Sequence, residues 1–264
     1  MSDDRLRYFI INSGRCGSSL LAAILADSGA DFGLPVPADW SQDEGALEHP
    51  DIDYVSRQFR RAAYLLPRKR SSLLVKYQID IRQSRAKKRA RQVLSQVGYA
   101  KTDNLDLWTW HVTKMGYHPR IIVSYRDFAA TARSFFILRG LHFHHFAENY
   151  SRTYENALMM LDVYGGCAVA FEEMVNPNET AWADALSQAT GLPRDRLLHH
   201  RDERLKEGGG RPRETAGPDG AAPAANRPKI VLESPRAAAV EAQLRRLKGC
   251  YLPPSAQIRR KWGI

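Results

Sequence analysis

Residues 8–25 read YFIINSGRCGSSLLAAIL. An apolar, β-prone run passes through a small turn, SGRCGSS, into LLAAIL at helical spacing, so the stretch predicts strand, turn and helix in that order. A strand feeding a helix this way presents a row of backbone N–H groups at the helix N-terminus, where the partial positive charge of the peptide dipoles gathers. Gly14 and Gly17 let the backbone bend and come close to a ligand. Ser13, Ser18 and Ser19 add hydroxyl donors, Arg15 adds a full charge, and Cys16 sits between the two glycines. That combination predicts an anion-binding loop, with an ordinary serine-capped joint as the alternative reading.

Working outward, strands are predicted at 7–12, 73–79, 99–102, 120–125 and 166–171. Helices are predicted at 18–28, 54–65, 83–96, 105–115, 128–138, 145–163, 179–190 and 234–248. Such alternation implies an α/β fold, a central parallel sheet flanked by helices on both faces, whose ligands sit at the carboxyl ends of the strands. The stretch 206–228 is dominated by EGGGRPRETAGPDGAAPAANRP, rich in Gly, Pro and Ala without apolar periodicity, and is expected to be a flexible loop. It divides an α/β domain over 1–205 from a C-terminal helix and tail over 229–264 that pack on the same domain. Ser234 and Pro235 are placed as cap and first-turn residues of that helix.

The chain has 264 residues, is 44% hydrophobic, and has no apolar run near the roughly 18 residues a membrane span needs. Its beginning, MSDDRLRYF, is acidic and enters the first strand without the basic-then-apolar order of a secretory signal, so a cytoplasmic location is expected. Cys16, Cys167 and Cys250 are too few and too scattered for a disulfide framework or a zinc site, and are expected as reduced thiols. The net charge of +10 is concentrated: between Tyr54 and Thr102 stand fourteen Lys or Arg against the single acid Asp80. The densest part, RQSRAKKRAR at 82–91, is expected on an exposed helix face, where it either attracts an anionic partner or is simply solvated.

A second cluster is RIIVSYRDFAATARSFF at 120–136. Arg126 follows a buried-strand pattern, and Ser134 lies eight positions later on the next helix, so both are placed to reach one anionic group. Together the two clusters resemble the sulfotransferases that use 3′-phosphoadenosine 5′-phosphosulfate (PAPS). The likeness spans about residues 7–195. SGRCGSSLL is similar to that family's 5′-phosphosulfate loop in the arginine-bearing form of Golgi and bacterial carbohydrate enzymes, and IIVSYRDFAATARSFF to its 3′-phosphate motif. AKTDNL at 100–105 resembles the K-T-H strand, and VAFEEMVNPNETAW at 169–182 the Y-E-D-L-x-x-x-P segment. The resemblance implies a P-loop NTPase-like sulfotransferase fold, PAPS as co-substrate, 3′,5′-ADP as product and no metal. HFHH at 142–145 lacks spaced partners and is read as a substrate-side loop.

On that resemblance Arg15 neutralises the leaving phosphate, Ser18, Ser19 and the loop N–H groups hold it, and Arg126 with Ser134 holds the 3′-phosphate. The family's adenine-stacking aromatic after the loop is Leu20 here, which leaves Phe171 as a candidate for that contact, or as a core phenylalanine. The C-terminal element over the 3′-phosphate has no clean match; Lys206 and Arg211 are the nearest residues. Two carboxylates are candidate general bases. Asp103 occupies the place of the family's histidine, and Glu48, in QDEGALEHPDI, resembles an acceptor-facing acidic segment and is preferred. Each has a plainer reading as a helix cap, Asp103 before Leu105 and Glu48 before a helix after Pro50.

The implied reaction moves a sulfuryl group to a hydroxyl or amine of a glycan, lipid or secondary-metabolite acceptor. If the helix at 82–91 borders the acceptor cleft, that acceptor or its carrier is anionic; nucleic acid is not expected as a partner. Two rival readings keep the same strand–loop–helix start. One is a P-loop kinase or NTPase, against which stands the absence of G-x-x-x-x-G-K-[ST]. The other is a non-catalytic polyanion binder.

Overall fold

The computed structural model describes residues 4–35, 47–65, 73–102, 109–139, 143–206 and 234–263. Strands β1 (Leu6–Ile11), β2 (Tyr99–Thr102), β3 (His118–Tyr125), β4 (Gly166–Ala170) and β5 (Tyr251–Leu252) form one sheet in the order β2-β1-β3-β4-β5. The first four are parallel and β5 is antiparallel to β4. β2, β3 and β4 are buried along their whole length and β1 over its second half, which is why β1, β3 and β4 carry the apolar runs FII, IIV and CAVA. Phe9, Ile11, Ile121, Val123, Ala168 and Ala170 point into one core, Ile10, Ile122, Cys167 and Val169 into the other.

Against the first face pack α2 (Pro50–Leu65), α3 (Leu73–Leu94), α6 (Phe143–Tyr164) and α10 (Pro235–Arg246). Against the second pack α1 (Ser18–Asp27), α8 (Ala181–Thr190) and α9 (Arg194–Lys206). Shorter helices are α4 (Thr109–Lys114), α7 (Phe171–Val175) and α11 (Ala256–Trp262), while α5 (Phe128–Arg139) follows β3. The α/β architecture with a mostly parallel central sheet between helical layers is as the alternation of elements predicts.

One predicted strand is not a strand. Residues 73–79 are the opening turns of α3, a helix of 22 residues. LLVKYQI is β-prone, but no Gly or Pro separates it from the helical residues 80–94. Its buried Ile79 recurs with Ala86, Ala90 and Val93 at spacings that share one helix face. Helices α9 and α11 and the two-residue β5 have no counterpart among the predicted elements, and strand 166–171 ends at Ala170, where Phe171 opens α7. The loop at 206–228 lies, beyond Lys206, outside the described residues.

The carboxyl-terminal part joins the same sheet. Ser234 caps α10 by accepting from the Ala237 N–H at 3.3 Å, with Pro235 at the first position, as the sequence predicts. Buried Glu241 on α10 accepts from the Phe128 N–H at 2.9 Å and pairs with Arg245 at 2.6 Å, tying α10 to the start of α5. Cys16 and Cys167 are buried, Cys250 is exposed, and none is bridged. No described helix is long and apolar enough to cross a membrane.

Candidate functional site

The chain runs from β1 to β2 on one side and then crosses to β3 on the other side of β1, so the direction of winding reverses between β1 and β3. Helices on the two sides diverge at such a point and leave a crevice at the carboxyl strand ends. Ile11, Thr102 and Val123 lie in register there, and Tyr125 pairs with Ala170. The residues just beyond these positions therefore converge: 12–19 after β1, Arg126 after β3, Phe171 after β4.

The loop between β1 and α1 is folded by its own backbone. Asn12 is buried, and its Oδ1 accepts from the Gly14 N–H at 2.9 Å. Gly14, Arg15 and Gly17 have φ of 78°, 56° and 80°, all left-handed. Two glycines adopt this freely, whereas Arg15 is held there at a conformational penalty of about 1–2 kcal/mol. Gly17 is the N-cap of α1 and no side chain caps that end, so the first-turn N–H groups of Ser18 and Ser19 have no side-chain acceptor at the cap.

The predicted site residues divide by role. Ser13 faces inward: its Oγ donates to the Tyr154 hydroxyl at 3.1 Å, which donates to the Ser124 carbonyl at 2.8 Å. Burial pushes the Tyr154 phenol well up, so it stays a protonated donor. Cys16 is likewise structural, its carbonyl accepting from Ser124 Oγ at 3.2 Å. Arg15 turns toward α5, its Nε donating to Ser134 Oγ at 3.2 Å, so the two predicted motifs meet directly. The Arg126 guanidinium sits 4.7 Å over the Phe171 ring, and its Nε is 3.8 Å from exposed Glu172. Among the described residues that buried Nε has no hydrogen-bond partner. Phe171 in turn covers Gly17: a Cβ there would lie 2.1 Å from Phe171 Cδ2. Leu20 is fully buried in the core and offers no surface for stacking.

On the β2 side stands a residue to which the sequence motifs assign no role. Lys101 is almost fully buried, yet its Nζ reaches Ser19 Oγ at 3.1 Å and Glu48 Oε1 at 3.1 Å. A buried ammonium persists only with such partners. Its signal is the lysine in the run YAKT, whose four positions are all buried. Glu48 is half exposed and lies at the mouth of the loop. It does not cap α2; the Asp51 N–H at that end donates to His49 Nδ1 at 3.2 Å. Asp103 and Arg211 lie outside the described residues. Among those described, one group with metal-ligand chemistry occurs, His199, His200 and Glu203 on α9, a helix whose Arg204 binds Asp27 at the far end of α1 from the loop.

Three cations, Arg15, Lys101 and Arg126, thus stand around the N-terminus of α1, which no side chain caps, with Glu48 beside Lys101 and Glu172 beside Arg126. Such an arrangement has the charge and the N–H donors to hold an anion with more than one charged group, with the half-exposed Glu48 carboxylate at its rim. Compared with known proteins, the chain matches no protein-family model, no curated protein and no solved structure.

Proposed function

We propose that the chain is a PAPS-dependent sulfotransferase with a P-loop NTPase-like fold. The observation that carries this reading is Arg126, whose buried Nε has no hydrogen-bond partner among the described residues at the crevice where Arg15 reaches Ser134. A buried donor left unmade is unfavourable by about 1–3 kcal/mol, and an incoming phosphate oxygen removes that penalty. Two anion-directed clusters on one sheet edge fit a nucleotide with phosphates at both 5′ and 3′ positions.

In-line transfer of the sulfonate from PAPS to an acceptor oxygen or nitrogen releases 3′,5′-ADP. The α1 N-terminus with Ser18 and Ser19 orients the 5′-phosphate, and Arg15 and Lys101 offset the negative charge that grows on it as the bond breaks. Arg126 and Ser134 hold the 3′-phosphate, with Phe171 as the apolar wall beside them. Glu48, at the acceptor side of Lys101, takes the proton of the acceptor hydroxyl.

Calorimetry with 3′,5′-ADP and 5′-AMP tests the nucleotide half of the proposal, and transfer from labelled PAPS to a panel of acceptors tests the reaction. We expect 3′,5′-ADP to bind at least tenfold more tightly, with Arg126→Ala removing most of that difference, worth about 1.5–3 kcal/mol for a charge-assisted contact. Equal affinities for the two nucleotides would sink the 3′-phosphate assignment. Hydrolysis of ATP in place of sulfuryl transfer would move the chain to the NTPase reading.

A further inference from the structure

The basic segment that the nucleotide site does not use has a definite shape. Helices α2 and α3 run antiparallel, joined by Arg89–Asp51 at 2.6 Å and Arg82–Gln58 at 3.2 Å. With 22 residues α3 is about 33 Å long, yet only its second half, through Ala86, Ala90, Val93 and Leu94, belongs to the core on the sheet. Its opening turns lie against the later turns of α2 instead.

Half a turn from that buried row, steps of three and four residues align Leu74, Tyr77, Ile81, Arg85, Lys88 and Arg91 on the outward face. Leu74 is 74% and Tyr77 65% exposed, and they are two of only three large exposed hydrophobic side chains among the described residues. Ile81 is half buried, and Arg85, Lys88 and Arg91 are exposed. Arg57, Arg61 and Lys76 stand exposed on the same pair of helices.

We infer that this face of α3 docks on an anionic lipid bilayer, with Leu74, Tyr77 and Ile81 entering the headgroup boundary and Arg85, Lys88 and Arg91 resting on the negative headgroups. Charge complementarity selects the occupant. The cations spread around a convex helical pair, which suits a diffuse negative plane, and the apolar side chains stand outward at one end of the row, where only an apolar medium rewards their burial. Tyr is also a residue type favoured at that boundary. The inference stands apart from the transfer reaction. Were both correct, the acceptor would be presented at a membrane.

Cosedimentation of the full chain with vesicles of phosphatidylcholine alone, and of phosphatidylcholine with about 30% phosphatidylglycerol, tests it. Binding is expected to the anionic vesicles only and to weaken steeply with salt. Leu74→Ser with Tyr77→Ser should lower the partition coefficient about tenfold. Arg85→Gln, Lys88→Gln and Arg91→Gln together should lower it on the order of a hundredfold. The same charge removed elsewhere, by Arg259→Gln, Arg260→Gln and Lys261→Gln on α11, should change it far less, and so should Met159→Ser at the third exposed apolar residue. Tyr77→Trp should show blue-shifted emission on anionic vesicles. No binding at low salt overturns the inference, as does equal loss from the α3 and α11 charge variants. Equally tight binding to soluble heparin, indifferent to Leu74 and Tyr77, overturns it in favour of a soluble polyanion.

Discussion

Gly17 joins the loop to α1 beneath the Phe171 ring that opens α7, and replacing it by alanine should separate two physical effects. The first is conformational: at φ 80° an alanine is disfavoured by about 1–2 kcal/mol whatever surrounds it. The second is steric. The new Cβ would stand 2.1 Å from Phe171 Cδ2, so the ring must shift, and forced overpacking typically destabilises by about 1–3 kcal/mol. Gly17→Ala is therefore expected to lower stability by about 2–5 kcal/mol in urea unfolding followed by circular dichroism. Gly14→Ala is the internal control, since at φ 78° it meets only the end of the Phe135 ring at 3.0 Å and should show mainly the conformational part. Phe171→Ala leaves the conformational part of Gly17→Ala untouched but removes its steric part. The double variant should thus be less destabilised than the sum of the singles by about 1–3 kcal/mol. Because Arg126 rests on the same ring, Gly17→Ala should also weaken 3′,5′-ADP binding. Additivity within about 0.5 kcal/mol would show that Phe171 does not press on Gly17 and that the crevice is built differently.

Arg15→Ala should lower turnover more than nucleotide affinity, because leaving-group charge is greatest in the transition state; comparison of kcat with the calorimetric Kd checks this. Lys101→Met should leave urea stability within about 1.5 kcal/mol, since the half-exposed Glu48 is solvated once the ammonium is gone and the buried position loses a charge, while 3′,5′-ADP affinity falls about tenfold. His111, buried and stacked on Phe59 at 4.6 Å, is pushed from 6.5 down to about 4 by burial and then by Lys87 and Lys114. The unfolded chain therefore takes up this proton first. Stability is full above pH 6.5 and declines as pH falls toward 4, by up to about 3 kcal/mol, and His111→Leu should flatten that part of the curve.

Local chemistry is enough to read the strand, loop and helix at 7–28, the strands at 99–102 and 120–125, and the capped helix from Ser234, because each announces itself within a dozen residues: apolar runs, glycines at left-handed positions, Ser followed by Pro. Local chemistry misreads 73–79, where β-prone residues belong to a helix. Only the face that buries Ile79 with Ala86 and Ala90 decides between the two periods, and that face exists only once α2 lies beside it. The same division runs through the candidate site. Arg15, Ser18, Ser19, Arg126 and Ser134 are visible as residue types in motifs. That Arg15 meets Ser134 across 119 positions of sequence, that Ser13 and Cys16 turn inward to Tyr154 and Ser124, and that Lys101 joins Ser19 to Glu48, is the result of parallel pairing of β2, β1 and β3. Strand register sets which side chains share a crevice, and register is fixed by the burial of both sheet faces at once, a property of the assembled layers and not of any one segment.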